Sequence, residues 1–232
     1  VASTPGRSGP AKPSCEPWGE GGPPHSLEPA GVEQRRRILA ATAELVAERG
    51  YGVVTVDLIA AAAEVGKATF YRHFEDKEEC YLALFDQTAG EIVRQARDVY
   101  VATAGEWPER LAAVLDVALR LAEAEPQPVR ACLGEALGAG PVATERYERL
   151  RERFAGLLRP GRALNPRGAE LPETLEVTLA GGVLWMIDRH LANEGPETLR
   201  LLFPEALRFL LAPYLGDERA RLVAHDPGSA GF

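Results

Sequence analysis

The sequence predicts an all-α protein: an N-terminal three-helix unit of helix-turn-helix form, followed by a larger helical body. Three observations lead there. From Glu33 onward, Ala, Leu, Arg and Glu recur with the i, i+3, i+4, i+7 spacing of amphipathic helices. Runs of β-branched residues alternating with period two, the mark of half-buried strands, are nearly absent. Glycine and proline punctuate the periodic stretches, where they end one helix and open the next.

The chain has 232 residues and is 46% hydrophobic, enough for a buried core in one or two domains. Its formal net charge is −8, so any nucleic-acid interface must be a local patch, because the molecule as a whole is not a polycation. The three cysteines, Cys15, Cys80 and Cys132, are too few and scattered for a disulfide framework and read as buried reduced thiols. No apolar run reaches membrane-spanning length and no signal peptide opens the chain, so a cytoplasmic location is expected.

Four segments are expected. Residues 1–30 are a Pro/Gly-rich tail with no apolar period, whose ordering would not recover its entropy cost. Residues 31–76 form the helix-turn-helix unit, 77–216 the helical body, and 217–232 a frayed C-terminal tail.

The first helix is expected over Val32–Arg49, with Ile38, Ala41, Thr42, Leu45 and Val46 on one face and Gly50 as its stop. Thr55 is the N-cap of a second helix over Val56–Ala63, because its hydroxyl can accept from a free N–H of the first turn. A third covers Lys67–Phe74. A fourth begins at Asp76-Lys77 and carries Tyr81, Phe85, Thr88, Ile92, Ala96 and Val99 along one stripe. Helices over Pro108–Glu123, Val129–Leu137 and Val142–Arg159 follow, then a loop at Asn165–Ala169. Two strongly apolar helices close the body: Pro172–Asn193, and Pro196–Leu215, which Pro204 is expected to kink.

The third helix divides sharply into two faces. Phe70 and Phe74 lie one turn apart and point inward, toward a small core completed by Ile59 and Val65. Lys67, Ala68, Thr69, Tyr71 and Arg72 are left outside, with His73 to one side. That outer set suits a DNA groove. Lysine and arginine donate to guanine O6 and N7, while Ala68 and the Thr69 methyl can touch a thymine methyl. Tyr71, His73 and Lys77 are donors for phosphate oxygens, which fix register without reading sequence. Thr55, at a helix N-terminus with free N–H groups, can meet another phosphate. Between Arg35 and Lys77 seven Lys/Arg face six Asp/Glu, so this segment is about +1 while the other residues carry about −9.

The strings R-R-R-I-L-A-A-T-A-E-L-V-A-E-R-G-Y, T-V-D-L-I-A and V-G-K-A-T-F-Y-R-H-F-E-D-K-E-E together resemble the N-terminal domain of TetR/AcrR-family transcriptional regulators, over about Arg35–Tyr81. The resemblance implies that Lys67, Ala68 and Thr69 approach bases and that Thr55, Tyr71, His73 and Lys77 hold the backbone. Arg72 occupies a variable outer position and is grouped with the base contacts. Three residues depart from the pattern or work against it. Glu64 stands where the family usually has a turn glycine, and a non-glycine residue at positive φ is strained. Gly66 replaces a capping residue, and Asp57 puts a carboxylate near the DNA side.

The resemblance further implies a homodimer. Its subunits would pair through the last two apolar helices in a four-helix bundle, with reading helices roughly 34–36 Å apart on a palindromic site. Gly181-Gly182 would permit close backbone approach there. The resemblance also implies a ligand-responsive repressor, with a small-molecule effector enclosed by the body. Trp107, Tyr147, Phe154, Trp185 and Met186 are the candidate walls. An enzyme is not expected: His25, His73, His190 and His225 are dispersed, and no H-E-x-x-H, phosphate loop or G-x-S-x-G occurs. No metal or cofactor is expected. The alternative is a helical adaptor that keeps the fold without binding an operator.

Overall fold

The computed structural model describes residues 29–225, and every regular element among them is helical. Most of the expected tail, with Cys15 and His25, lies outside the described residues, as does the chain beyond His225. Ten α-helices follow in order: α1 Pro29–Arg49, α2 Val56–Ala62, α3 Lys67–His73, α4 Lys77–Ala102 and α5 Trp107–Ala124, then α6 Pro126–Gly134, α7 Pro141–Leu158, α8 Leu175–Asn193, α9 Phe203–Leu215 and α10 Asp217–His225. The predicted class and two-part plan hold.

Two apolar cores organise the chain. The first gathers α1, α2, α3 and the start of α4 around Ile38, Val46, Ile59, Phe70, Phe74 and Tyr81. All five residues predicted for the buried face of α1 are buried, Thr42 among them because its hydroxyl donates to the Ile38 carbonyl at 2.8 Å. The second core fills the body from Phe85 of α4 to Val223 of α10. Helix α4 therefore belongs to both, with Cys80, Tyr81 and Leu84 in the head and Phe85, Ala89 and Ile92 in the body. Cys80 and Cys132 are buried free thiols, and burial pushes the Cys80 thiol up to about 12.

Contacts between head and body are directional. Just beyond α6, a carboxylate oxygen of Glu135 accepts from the Tyr51 N–H at 2.8 Å. The Tyr81 hydroxyl donates to the Ala131 carbonyl of α6 at 2.8 Å, and the Tyr51 and Tyr81 rings lie 4.9 Å apart. Lys77 donates its ammonium to the Tyr51 carbonyl at 2.9 Å and sits 4.0 Å from that ring's centroid. The short helical turn at Tyr51–Val53 is thus clamped between α4 and α6.

Several expectations need correction. The segment 217–225 is no frayed tail: it is α10, which packs on α9 and buries Ala220, Val223 and Ala224. Gly216, at φ 80°, supplies the turn, and Arg208 holds Asp217 with two 2.7 Å contacts across it. The second apolar segment is not one kinked helix. Pro196–Leu202 is a 3-10 turn, and Pro204 stands in the first turn of α9, where its missing N–H costs nothing. The expected loop near Asn165 instead lies between 3-10 turns at Arg159–Leu164 and Gly168–Glu170. It is pinned by a buried carboxylate: Glu176 accepts from Arg162 at 2.6 and 2.9 Å and from the Tyr214 hydroxyl at 3.1 Å. The arginine's hydrogen bonds outweigh burial and keep Glu176 below the usual carboxylate range.

The turn between α2 and α3 closes as a Schellman motif. Val65 N–H bonds the Ala60 carbonyl at 2.9 Å and Glu64 N–H bonds Ala61 at 3.1 Å. Glu64 takes the left-handed position at φ 53°, the one described non-glycine residue with positive φ. Glu64→Gly is expected to raise stability by about 0.5–1 kcal/mol, the relief of that strain less glycine's extra freedom when unfolded. Urea unfolding of the two proteins checks it, and an unchanged or lower midpoint contradicts it.

Candidate nucleic-acid interface

Helix α3 is only two turns long, so its orientation rests on what it buries. Phe70 is fully buried and Phe74 nearly so, with ring centroids 5.7 Å apart. The Arg35 guanidinium of α1 lies 5.1 Å from the Phe74 centroid and closes that core from outside. Thr55 caps α2 as predicted, accepting from Leu58 N–H at 3.3 Å, and its hydroxyl proton stays available to a further acceptor. Gly66 caps α3 without a side chain, in an extended conformation any residue can adopt.

The opposite side of α3 is open. Lys67, Ala68, Tyr71 and Arg72 are exposed, and Thr69 is partly so. Tyr71 is 55% exposed, its ring meeting Phe70 edge-on with centroids 5.5 Å apart. Arg72 donates to Thr69 Oγ1 at 3.2 Å and reaches Gln34 Oε1 of α1 at 3.4 Å, so it rests along the helix surface. The structure therefore brings Lys67, Ala68, Thr69, Tyr71 and Arg72 onto one accessible stripe, with Thr55 exposed at the head of α2.

Two predicted phosphate donors have other engagements. Lys77 is half-buried and held by Tyr51. His73 is also half-buried, with Nε2 3.4 Å from Gln34 Oε1. Burial, helped by the Arg72 and Arg35 charges, pushes His73 below its ordinary range. At neutral pH it is an uncharged ring with one N–H, a weaker phosphate partner than an imidazolium.

Sequence reasoning missed two contacts. Lys67 Nζ pairs with Asp57 Oδ1 at 2.5 Å, although both side chains are more than half exposed. Asp57 also lies in the first turn of α2, where its charge suits the helix dipole. The carboxylate expected near the DNA side thus pairs with the leading cation of α3 in the free protein. Gln34 is the second, a bridge between α1 and both Arg72 and His73. Its signal was position alone, one turn before the buried face of α1. Nor does the basic run at Arg35–Arg37 form one patch: Arg35 covers Phe74, and Arg36 is held bidentate by Glu33.

Inside the body, α5, α6, α7 and α8, with Ile92 of α4 and Leu210 of α9, border a cavity of about 60 Å³, lined by apolar side chains including Leu115, Val129, Leu133, Phe154 and Ile187. Of the five predicted walls, only Phe154 lines it. Trp107 is buried elsewhere, donating its indole N–H to the Leu157 carbonyl at 2.7 Å and meeting Tyr214 edge-on. Tyr147 packs in the core, Met186 is partly buried against it, and Trp185 is 59% exposed on the outside of α8. Large aromatics fill space, and the cavity opens where shorter chains leave it. Among the described residues no group of three or more His, Cys, Asp or Glu is gathered to hold a metal, and no helix is long and apolar enough to cross a membrane.

With this geometry in hand, comparison with known proteins is specific. The family model for bacterial regulatory proteins of the tetR family matches residues 38–84, the stretch from the buried face of α1 to the start of α4. The HTH-type transcriptional activator FasR of Mycolicibacterium smegmatis is 32% identical over 98 residues, covering 42% of this chain and 44% of that relative. This chain therefore aligns with less than half of FasR. The solved fatty acid degradation regulator FadR of Bacillus halodurans superposes with a TM-score of 0.67 at 22% identity, over 81% of this chain and 97% of its own. FadR of Bacillus subtilis, solved in complex with stearoyl-CoA, gives 0.59 at 21% identity, over 78% and 98%. These likenesses carry the fold across the body, and the head carries the family pattern. Residues 38–84 carry the pattern of the tetR family of bacterial regulatory proteins, and the matches together support a TetR-family regulator.

Proposed function

We propose that the chain is a homodimeric, ligand-responsive repressor that reads a palindromic operator with α3. The observation that carries this reading is the division of α3, with Phe70 and Phe74 buried and Lys67, Ala68, Thr69, Tyr71 and Arg72 on one open stripe. Lys67, Ala68, Thr69 and Arg72 are assigned to base edges, and Thr55, Tyr71, His73 and Lys77 to phosphates. Lys67 must leave Asp57 for a guanine edge, and an exposed pair costs little to part. Lys77 reaches a phosphate only by giving up part of its hold on Tyr51, which makes it the weakest assignment of the set. The names of the curated relatives are those of regulators, which supports a non-enzymatic protein working where the DNA is.

Dimerisation through α8 and α9 is supported by apolar surface left open there. Trp185 and Phe209 are 59% and 40% exposed, and the Phe209 ring lies so close to Gly182 that a Cβ at that glycine would meet it at 2.8 Å. The effector reading rests on the cavity and the junction together. Helix α6 presents Val129 and Leu133 to the cavity, and its end carries Glu135, which holds the Tyr51 N–H in the head. A ligand that fits one position of α6 better than another shifts the population of head orientations.

Footprinting on DNA upstream of the chain's own or neighbouring genes tests the proposal. A protected palindrome is expected, with binding weakening steeply as salt rises. On that site, Lys67→Ala and Arg72→Ala should each lose about 1–3 kcal/mol of discrimination between cognate and altered bases. A chain that protects no site, or variants with full discrimination, would favour the adaptor reading. Trp185→Glu and Phe209→Glu should each shift sedimentation from dimer to monomer and weaken operator binding about tenfold or more. Wild-type monomers at micromolar concentration would overturn the dimer.

A further inference from the structure

Asp57 and Lys67 meet across the turn between α2 and α3. Lys67 Nζ lies 2.5 Å from Asp57 Oδ1, and both side chains are more than half exposed. Neither side chain has another hydrogen bond or ion pair among the described residues. The turn that spaces them is closed by the Val65 and Glu64 N–H groups, and Thr55 fixes the start of α2 by accepting from Leu58 N–H. Their backbones are therefore held while the side-chain ends stay free to turn. An exposed pair of this kind adds little to stability, so its geometry is what matters.

When Lys67 turns to a guanine edge, the Asp57 carboxylate loses its partner while facing DNA. Other cations of the head are engaged elsewhere: Arg72 rests on Thr69 and Gln34, Arg35 lies over Phe74, and Lys77 is held by Tyr51. A carboxylate only accepts, so it needs a donor. In the major groove the donors are the amino groups of cytosine (N4) and adenine (N6). The cytosine amino group stands beside the guanine that Lys67 addresses, because within a G·C pair it donates to guanine O6. Those two atoms lie about 2.9 Å apart, the span of an N–H···O hydrogen bond. The Lys67–Asp57 pair has nearly the same span, with donor and acceptor in complementary order. The amino group uses one hydrogen for pairing and directs the other into the groove.

We infer that Asp57 determines specificity: as Lys67 donates to guanine, Asp57 accepts from the N4 amino group of the cytosine in the same base pair, so the two side chains together read one G·C pair. This rests on the assignment of Lys67 to a base edge and deepens it. The ion pair of the free protein is exchanged for two contacts on DNA, and neither charge is left without a partner. Reversal of the base pair defeats the exchange. In C·G or A·T the amino group lies under Lys67 and the keto oxygen under Asp57, so donor meets donor and acceptor meets acceptor. Against T·A the order is kept, and guanine N7 supplies Lys67 with the preference for G·C. On unrelated DNA the unpaired carboxylate only weakens binding, since it lies near phosphates.

Fluorescence anisotropy with the whole chain and duplexes of its footprinted operator tests this. The pair addressed by Lys67 is the one whose guanine preference Lys67→Ala relaxes. At that pair, N4-methylation of the cytosine caps the groove-facing hydrogen and leaves the pairing one. It should weaken the wild-type protein about tenfold and Asp57→Ala by less than about twofold. Reversing the pair to C·G should cost the wild type about tenfold more than it costs Asp57→Ala. Asp57→Asn, which keeps an acceptor and loses the charge, should fall between them. Circular dichroism melting shows whether each variant is folded, and a ratio between two duplexes cancels any loss common to both. A carboxylate that merely restrains Lys67 gives a different pattern: Asp57→Ala binds every duplex more tightly by one common factor and stays as sensitive to the cytosine methyl group as wild type. That pattern, or equal sensitivity of the two proteins without any gain in affinity, overturns the inference and spares the assignment of Lys67. If Lys67→Ala relaxes no position of a protected operator, or no operator is protected, the underlying reading fails and the role of Asp57 fails with it.

Discussion

Everything that α3 presents outward depends on two rings that it buries. A seven-residue helix is too short to persist alone in water, since nucleating it costs more than a few hydrogen bonds return. Phe70 and Phe74 supply what the backbone cannot, by joining the core that α1 and α2 build around Ile38, Val46 and Ile59. They also fix its rotation. With both rings inward, Ala68 and Arg72 are set on the far side by helical geometry alone. Arg35, stacked over Phe74, seals this core with a cation that also adds to the local positive potential.

The head is not a separate bead on the body. Its core runs into α4 through Tyr81 and touches α6 through Ala131, while Glu135 and Lys77 clamp the peptide at Tyr51 from opposite directions. A shift of α6 therefore reaches the head by hydrogen bonds as well as by packing. The buried Glu176–Arg162–Tyr214 cluster ties the 3-10 turns after α7 to α8 and α9 by hydrogen bonds. The cavity lies between the clamped junction and this cluster. That arrangement suits a two-state response, because packed elements move between discrete positions and do not deform smoothly.

The helical periodicity made most of the fold legible in the sequence. Ile38, Ala41, Thr42, Leu45 and Val46 are buried as a set, Thr55 caps α2, and the strained position falls on Glu64. The face of α3 was readable because two phenylalanines four residues apart leave no other phase. Legibility failed where the signal was weak or three-dimensional. Helix α10 buries only Ala220, Val223 and Ala224, a faint pattern among charged residues. Sequence favours aromatics as pocket walls, yet Trp107 and Tyr147 occupy space inside the core and Trp185 faces out. The Asp57–Lys67 and Lys77–Tyr51 contacts join residues on different elements across turns, and no periodicity announces them.

The central claim is that the outward stripe of α3 faces a DNA groove, and the chain offers a direct probe of it. It contains three lysines, Lys12, Lys67 and Lys77, of which Lys67 stands at the start of that stripe with its side chain 61% exposed. Amine acetylation read by peptide mass spectrometry, with and without a bound operator duplex, measures its accessibility. The account predicts that DNA slows modification of Lys67 by about tenfold or more, as a lysine seated against a base edge is closed to reagent. Equal labelling of Lys67 in the free protein and in a saturated complex would contradict it.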